Sequence, residues 1–502
     1  MRRAPAALLL AALLAGCGGS APPDGVIRFG LAVPPKHLDP RFASDATSER
    51  INRLLYRRLV EFDEQGRPVP GLATWEVVSP THYRFRLGEA GRDFTDGSRL
   101  TAADVAATYG YILDPRNASS HRAQFAQIAR IETPDADHVD FLLSAPDPLF
   151  PAYLAECILP AAAIAEQRDL STRPVGSGPF RLLDWPEPSR LRLQRRADGQ
   201  VVELAAVKDP SVRVMKLLRG EVQMLQNDLS PELVDYLAAH HAVEVETRPG
   251  RNFAYLGFNL EDPVTADPLV RRALAHALDR DALLRHLFRG RGRTAESIFP
   301  PDHWAGAPGL VPYAHDPALA RALLAAAGYG PGHPLRLTMK TSTDPFRIRV
   351  ATAMQAQLAA AGIELAIRSY DWGTFFGDIK NGRFQLYGLT WIGVHTPDIF
   401  RYAFHSAAIP PNGANRGRYR DVEADRLMDQ AAAAPDLETQ ARLYRALQGR
   451  LHRELACLPL WYESQVLIRR PEVVGYALAA DGNYDGLEQV RLARDDGARA
   501  RP

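Results

Sequence analysis

The stretch Gln385-Leu-Tyr-Gly-Leu-Thr-Trp-Ile-Gly-Val-His-Thr-Pro-Asp-Ile-Phe400 is an apolar and aromatic run that ends in a turn. Its first half is typical of a buried strand, and Gly393 and Pro397 mark where the strand ends. The turn leaves Trp391, His395 and Asp398 beside one another. A core strand that opens onto an aromatic ring, an imidazole and a carboxylate is typical of a pocket wall. We therefore predict that this stretch lines a cleft between two lobes.

The length and the charge of the chain limit the number of domains and the kind of partner it can have. At 502 residues it is too long for a single core, and about 150 residues per domain predicts two to four domains. Lys+Arg 60 balances Asp+Glu 59, which gives no basic field for a nucleic-acid partner. The hydrophobic fraction of 46% is that of a globular protein.

The N-terminus has the pattern of a targeting segment. Arg2 and Arg3 precede a short apolar run, Ala6–Leu14, and small residues lead into Cys17. This resembles the bacterial lipobox, which implies a lipoprotein signal peptide over 1–16 and a lipid on Cys17. The alternative is an ordinary signal peptide with an accidental cysteine. Residues 17–25 then form a flexible tether, and the tail 494–502 is predicted to be disordered.

Two further cysteines leave a choice open. Cys157 and Cys457 could pair, but both lie in apolar sequence, which favours two buried free thiols.

The second half of the chain alternates between strands and helices. Helices begin at Pro268 and Pro317, each preceded by an aspartate, and strands and helices then succeed one another up to Phe400. This alternation predicts βαβ units on a mostly parallel sheet. The segment 56–175 instead predicts an α+β unit of its own, and Leu458–Tyr462 and Val466–Ile468 predict two strands.

Several segments of the chain match one family in the same order. The most specific are Phe94-Thr-Asp-Gly97, followed by Leu100-Thr-Ala-Ala-Asp-Val105, and Pro174-Val-Gly-Ser-Gly-Pro-Phe180. The other matching segments are Leu38–Pro40, Leu54–Phe62, Gly257–Asn259, Val270–Arg280, Asp316–Leu324 and Leu458–Tyr462. The chain resembles the extracytoplasmic solute-binding proteins of peptide/nickel-type ABC transporters, family 5, over nearly its whole mature length.

The resemblance implies a fold and a role. The fold is an α/β two-lobed periplasmic binding protein of type II, of the large peptide-binding class, with an inserted α+β subdomain in lobe I. Lobe I is expected over 26–55, 176–258 and 458–493, the inserted subdomain over 56–175, and lobe II over 259–457. The role is that of a monomeric receptor in the periplasm or cell envelope. It would hold a peptide or similar solute between its lobes and deliver it to an ABC permease and ATPase complex. Its lipid would be its attachment to the membrane.

One position departs from the family pattern. Peptide binders that this chain resembles carry an aspartate for the peptide ammonium shortly after the matching tryptophan, and here that position is Val394. A buried ammonium needs a carboxylate partner. Either Asp398 substitutes, or the ligand has no free amino terminus. A non-peptide solute, such as an oligosaccharide, opine or metal chelate, therefore remains an alternative.

The candidate ligand-binding residues have competing structural interpretations. Trp391 could stack on a ligand or pack in the core, and Asp398 could anchor an ammonium, although helix capping is favoured. The backbone from Leu389 to Gly393 is predicted to pair with an extended ligand. Capping is the favoured role of Asp45. The remaining candidates are Asn252, Phe253, Tyr370 and Trp372.

No motif predicts catalysis, a cofactor or a metal. The chain has no Gly-x-Ser-x-Gly and no His-Glu-x-x-His, and His395 and His405 lack the spacing and the cysteine partner of a metal site. A secreted hydrolase with a spatial triad stays the alternative from another class.

Overall fold

The computed structural model describes residues 24–43, 45–119 and 121–493. The predicted signal peptide, Cys17 with most of the tether, and the tail 494–502 lie outside the described residues. Within the described ranges, no helix combines the length and the apolar character needed to cross a membrane.

Strands and short helices alternate along the chain. The strands are β1 Ile27–Leu31, β2 Val60–Phe62, β3 Pro68–Pro70, β4 Ala73–Ser79, β5 His82–Leu87, β6 Ile128–Glu132, β7 His138–Leu143, β8 Phe180–Glu187, β9 Arg190–Arg195, β10 Val201–Ala206, β11 Met224–Gln226, β12 Glu244–Phe258, β13 Gly292–Thr294, β14 Leu335–Ser342, β15 Ile363–Tyr370, β16 Leu386–Trp391, β17 Cys457–Arg469, β18 Val473–Val474 and β19 Arg491–Leu492. The helices are α1 Ala46–Leu55, α2 Ala102–Leu113, α3 Phe150–Tyr153, α4 Ala161–Ala165, α5 Pro210–Arg219, α6 Pro231–Ala238, α7 Pro268–Ala277, α8 Arg280–His286, α9 Pro317–Ala326, α10 Pro345–Ala360, α11 Trp372–Lys380, α12 Ile399–Phe404, α13 Val422–Ala432 and α14 Leu437–Glu454.

One 11-stranded sheet runs through both halves of the molecule, in the order β15-β14-β16-β12-β17-β11-β1-β10-β9-β8, with β13 added on β17. We use "lobe I" for the part built on β1 and β8–β11, and "lobe II" for the part built on β13–β16. The prediction of a mostly parallel sheet in lobe II is wrong except for β15, β14 and β16. The reason is that β12 and β17, which run on into lobe I, pair antiparallel with each other and with their neighbours.

The strands β12 and β17 carry the chain between the lobes. Glu244–Arg248 pairs with the end of β17 in lobe I, and Asn252–Gly257 pairs with its beginning in lobe II. The register shifts between Arg248 and Asn252, where the two strands leave one lobe for the other. The two strands predicted near the C-terminus are therefore one continuous strand, β17.

A glycine-rich junction, Pro174–Phe180, leads the chain back into lobe I. A Cβ at Gly176 would fall 1.9 Å from the carbonyl oxygen of Leu55, and a Cβ at Gly178 would fall 2.4 Å from that of Leu54. The junction packs directly on the last turn of α1, so only residues without a side chain fit there. This close approach is the physical reason for the Pro174–Phe180 pattern.

An inserted subdomain has its own sheet and core. Its strands pair in the order β4-β5-β7-β6, and its core contains Phe85, Tyr109, Phe141 and Phe150. The hairpin β2–β3 lies between this unit and lobe I in the chain. These elements fall inside the segment predicted as a separate α+β unit, and the numerical lobe boundaries stay a prediction.

Lobe II packs helices on both faces of its sheet. One core lies under α7, α9 and α10 and the other under α11–α14. Helices α7 and α9 begin as predicted, each with an aspartate cap and a proline in the first turn, and α5 and α10 begin in the same way.

The two cysteines within the described residues are both free, which confirms the favoured prediction. Cys457 belongs to a lobe II core, whereas Cys157 packs against the lobe I core. Burial raises the pKa of each thiol to about 12, so both stay protonated and unreactive at neutral pH.

Candidate functional site

The floor of the cleft is the carboxyl end of three parallel strands. β14, β15 and β16 end at Ser342, Tyr370 and Trp391, on the side where lobe II meets lobe I. Ligands of open α/β sheets bind at such strand ends, because the loops and helix N-termini that follow converge there. The first half of the stretch from Gln385 to Phe400 is a strand, β16, as predicted, and its role as a ligand-lining wall stays a prediction.

An ion pair joins this floor to a strand that crosses between the lobes. Arg347 lies in the first turn of α10, and its Nη1 is 2.9 Å from Oε1 of Glu463 on β17. The Oγ1 of Thr390 lies 3.4 Å from the same carboxylate oxygen. The Glu463 carboxylate raises the pKa of Arg347, so the guanidinium stays charged. Neither residue was predicted from the sequence, although Arg347 follows a strand end and a helix start.

The facing wall in lobe I has a strained backbone. Asn227 and Asp228, just after β11, both adopt left-handed conformations with φ of 58° and 54°. The Asn227 amide fixes the turn to β17, donating to Gln465 Oε1 at 2.6 Å and accepting from the Val466 N–H at 2.8 Å. Asp228, the second residue of this turn, is exposed.

The Asp228 carboxyl has a raised pKa. The residue is exposed, yet desolvation raises its carboxyl pKa, against the opposing effect of Arg50 and Arg213. The Glu463 carboxylate raises the pKa of Asp228 further. The ion pair of Arg347 with Glu463 places one cation and one anion at the strand ends.

Lobe II touches the β2–β3 hairpin, and we use "closed" for the arrangement in which this contact is made. The His395 ring stacks on Phe62 with centroids 5.1 Å apart, and the Trp304 N–H donates to the Gln65 carbonyl at 3.0 Å. Nε2 of His303 lies 3.2 Å from the His395 carbonyl. Burial lowers the pKa of His395 to about 4 and that of His303 to about 3, so both rings are neutral in this contact.

Asp398 occupies the N-cap position just before α12, but its side chain makes no capping hydrogen bond and accepts one from Thr396 instead. Burial, with a smaller contribution from Asp147 of the inserted subdomain, raises its pKa to about 6. The favoured capping interpretation is therefore wrong. The role of Asp398 as an ammonium anchor stays a prediction.

Trp391 and its strand form the wall. The Trp391 ring lies under the Arg416 guanidinium at 4.6 Å, and Leu389 packs against the same lobe II core. Gly393 has a φ of 69°, and an added Cβ would meet nothing within 4 Å. On one side β16 pairs with β12 along its whole length. On the other side, within the described residues, it pairs with β14 only at Leu386 and Tyr387, so residues 388–391 keep one free edge. That edge is what the predicted pairing with an extended ligand requires.

The other predicted residues have different positions: some lie near the wall, some pack in the core and one caps a helix. Asn252 lies opposite Glu463 where the two long strands cross. Phe253 is 1% exposed and stacks on Tyr255, so it supports the wall from behind.

Asp45 caps α1, since its carboxylate accepts from Ser48 N at 2.9 Å and from Ser48 Oγ at 2.7 Å. Tyr370 packs beneath Lys340. Trp372 is 60% exposed and stacks on Phe376. Ligand contact for these residues stays a prediction.

The comparisons with known proteins agree with this architecture. The family described as bacterial extracellular solute-binding proteins, family 5 (Middle), matches residues 67–410. The probable di/tripeptide-binding protein 5 of Pseudomonas aeruginosa is 31% identical over 483 residues, covering 89% of this chain and 91% of that protein. The dipeptide-binding protein of Escherichia coli K12 is 27% identical over 493 residues, covering 90% and 91%.

Solved structures show the same two-lobed fold. The substrate-binding protein CtaP of Listeria monocytogenes superposes with a TM-score of 0.84 at 22% identity, covering 93% of this chain and 99% of that one. AgaA of A. tumefacien R10, in complex with agropinic acid, superposes with a TM-score of 0.76 at 25% identity, covering 93% and 99%. The predicted two-lobed α/β fold is thereby confirmed. The chain belongs to the bacterial extracellular solute-binding proteins of family 5.

Proposed function

We propose that the chain is the substrate-binding component of an ABC importer, which captures a peptide or peptide-like solute between its lobes and delivers it to the permease. The observation that carries the proposal is the free edge of residues 388–391 on the cleft. An extended backbone can add to this edge through main-chain hydrogen bonds, with little dependence on its side chains. The ion pair of Arg347 with Glu463 lies at the ends of the same strands and can meet the charged groups of a short peptide.

The relatives support a peptide as the solute class. Two of them, from P. aeruginosa and E. coli, are named for binding di- or tripeptides, and they align along about nine-tenths of this chain. A second candidate is an opine-like solute. Val394 removes the usual acid near Trp391, and a structural relative at 25% identity holds agropinic acid.

The place of the protein in the cell is part of the proposal. We infer that residues 1–16 are removed and that Cys17 carries the lipid, which keeps a monomeric receptor close to its permease and ATPase. Mass spectrometry of the N-terminal peptide tests this directly. A Cys17→Ser variant should be released in soluble form, and retention of that variant on the membrane contradicts the lipid anchor.

We also propose that the protein binds its solute without transforming it. Purified protein incubated with a defined tripeptide should leave the peptide intact while its melting temperature rises. Cleavage products that accumulate with time would instead favour the secreted hydrolase.

The most informative experiment identifies what the protein holds. Native mass spectrometry of protein purified from a periplasmic extract should show a co-purifying small molecule. Thermal shifts with dipeptides, tripeptides and opines then rank the classes. If opines raise the melting temperature and neither dipeptides nor tripeptides do, the result contradicts the peptide proposal and supports the second candidate. Closure on binding should reduce the radius of gyration in small-angle scattering.

A further inference from the structure

Arg416 places a cation beside the wall of the cleft. Its guanidinium carbon lies 4.6 Å from the centre of the Trp391 ring and 5.2 Å from that of Phe376. Its Nη1 donates to the hydroxyl of Tyr255 at 3.2 Å. Three aromatic side chains therefore hold the half-buried guanidinium in one position.

This guanidinium has no carboxylate partner within 4.0 Å among residues 24–43, 45–119 and 121–493, in contrast to its neighbours. In the same loop, Arg418 lies 3.4 Å and Arg420 3.7 Å from Glu261. Arg416 has five N–H donors and one described side-chain hydrogen bond. A half-buried cation with unused donors in a planar fork is suited to a bidentate carboxylate.

The acids that could neutralise Arg416 are placed elsewhere. Val394, three residues beyond Trp391, is uncharged and packs against the lobe II core. The Asp398 carboxylate accepts a hydrogen bond from Thr396. Glu463, at the floor of the cleft, already forms an ion pair with Arg347.

We propose that Arg416 is an anion-binding group of the cleft and that the solute carries a carboxylate at the end that lies against Trp391. This rests on the proposed function and narrows the solute to an acidic peptide-like molecule, such as an N-acylated peptide with a carboxylate on its acyl group. The ligand carboxylate accepts from the guanidinium while its chain follows the free edge of residues 388–391. The aromatic rings keep the guanidinium oriented before the ligand arrives.

Three probes that differ at one end test the inference. They are trialanine, N-acetyl-trialanine and N-succinyl-trialanine, and only the last adds a carboxylate to the amino end. Isothermal titration should show that the succinyl peptide binds at least about tenfold more tightly than the acetyl peptide, as expected for a charge-assisted pair. Equal affinity of the two acylated peptides would overturn the inference.

Matched variants locate the anion. Arg416→Gln should abolish the difference between succinyl and acetyl peptides, and Arg416→Lys should keep part of it because the charge remains. Arg420→Gln, in the same loop but exposed, should leave it unchanged. A preference for the succinyl peptide that survives in Arg416→Gln overturns the assignment to Arg416. If none of the three peptides binds the wild-type protein, the peptide proposal fails and this inference fails with it.

Discussion

A Cβ atom at Gly66 would fall 2.5 Å from Nε2 of His303, which places the tip of the β2–β3 hairpin in direct contact with lobe II. Gly66 is buried and has a φ of 79°, so the hairpin can reach lobe II only with a residue that has no side chain there. The contact belongs to the closed state, because it joins the inserted subdomain to the other side of the cleft.

Gly66→Ala should therefore impair closure. We expect its affinity for the solute to fall at least about tenfold, because a methyl group at this distance must push the lobes apart. Gly97→Ala is the matched control, since Gly97 has a φ of 89° and nothing within 4 Å of an added Cβ. Both variants should lose about 1 kcal/mol of stability from backbone strain, and only Gly66→Ala should lose binding. Equal binding by the two would contradict a role in closure.

Acid should open the cleft through His395. Its pKa is about 4 in the closed state and returns towards about 6.5 when opening exposes the ring. The open state then binds more protons, so closure is favoured above pH 6.5 and is lost as the pH falls towards 4. Between pH 8 and 5 this one group should shift the closed-to-open ratio about thirtyfold.

Small-angle scattering of the liganded protein against pH measures this shift. His395→Asn should open less with acid than the wild type. The variant His240→Asn, on the surface of lobe I, should behave as the wild type does. A His395→Asn profile identical to that of the wild type rules out this histidine as the titrating group.

Asp398 should act in the opposite direction. Its closed-state pKa of about 6 lies above the ordinary value of about 3.9, so the closed state binds more protons between these values and acid favours closure. Asp398→Asn removes the cost of burying an ionised carboxylate, and with it the smaller repulsion from Asp147, and should strengthen closure at pH 8 up to about a hundredfold relative to the wild type. The same scattering measurement should then show steeper opening with acid. A flatter profile would mean that Asp398 is not the opposing group.

Two ion pairs should make closure sensitive to salt. Asp235 and Glu232 on α6 of lobe I lie 2.7 Å from Arg291 and 3.1 Å from Arg349 of lobe II. Partly exposed pairs contribute about 0.5 kcal/mol each and are screened at high ionic strength. Raising salt from 0.05 to 0.5 M should lower the affinity about threefold.

The double variant Asp235→Asn with Glu232→Gln should lose that salt dependence. Glu221→Gln, which removes a pair with Lys216 inside lobe I, serves as the control. Persistent salt dependence in the double variant would place the screened charges elsewhere.

Most of the fold could be predicted from local sequence patterns. The helix starts at Asp267 and Asp316 and the glycine junction after Pro174 each have a local physical cause that the structure confirms. Strand direction was less accessible, because the hydrophobic pattern of β12 and β17 does not reveal that one strand serves two lobes.

Only part of the site could be predicted from the sequence. The strand within the stretch from Gln385 to Phe400, and its end before Gly393, follow from its composition. The pairing of Arg347 with Glu463 joins residues 116 positions apart, and nothing local predicts it. Arg416 likewise reaches Trp391 only through the tertiary arrangement of its loop.

The central position of β17 has a consequence for how the protein forms. Its residues 466–469 complete the lobe I sheet between β12 and β11, although most of lobe I is encoded before residue 259. The inserted subdomain is continuous in sequence and can fold before the rest of the chain is made. Both lobes must wait for β17, because its first half pairs with β12 and β13 in lobe II and its second half completes the sheet of lobe I. The last step of folding is therefore the step that joins the two lobes, and a chain truncated before β17 would lack the central strand of both.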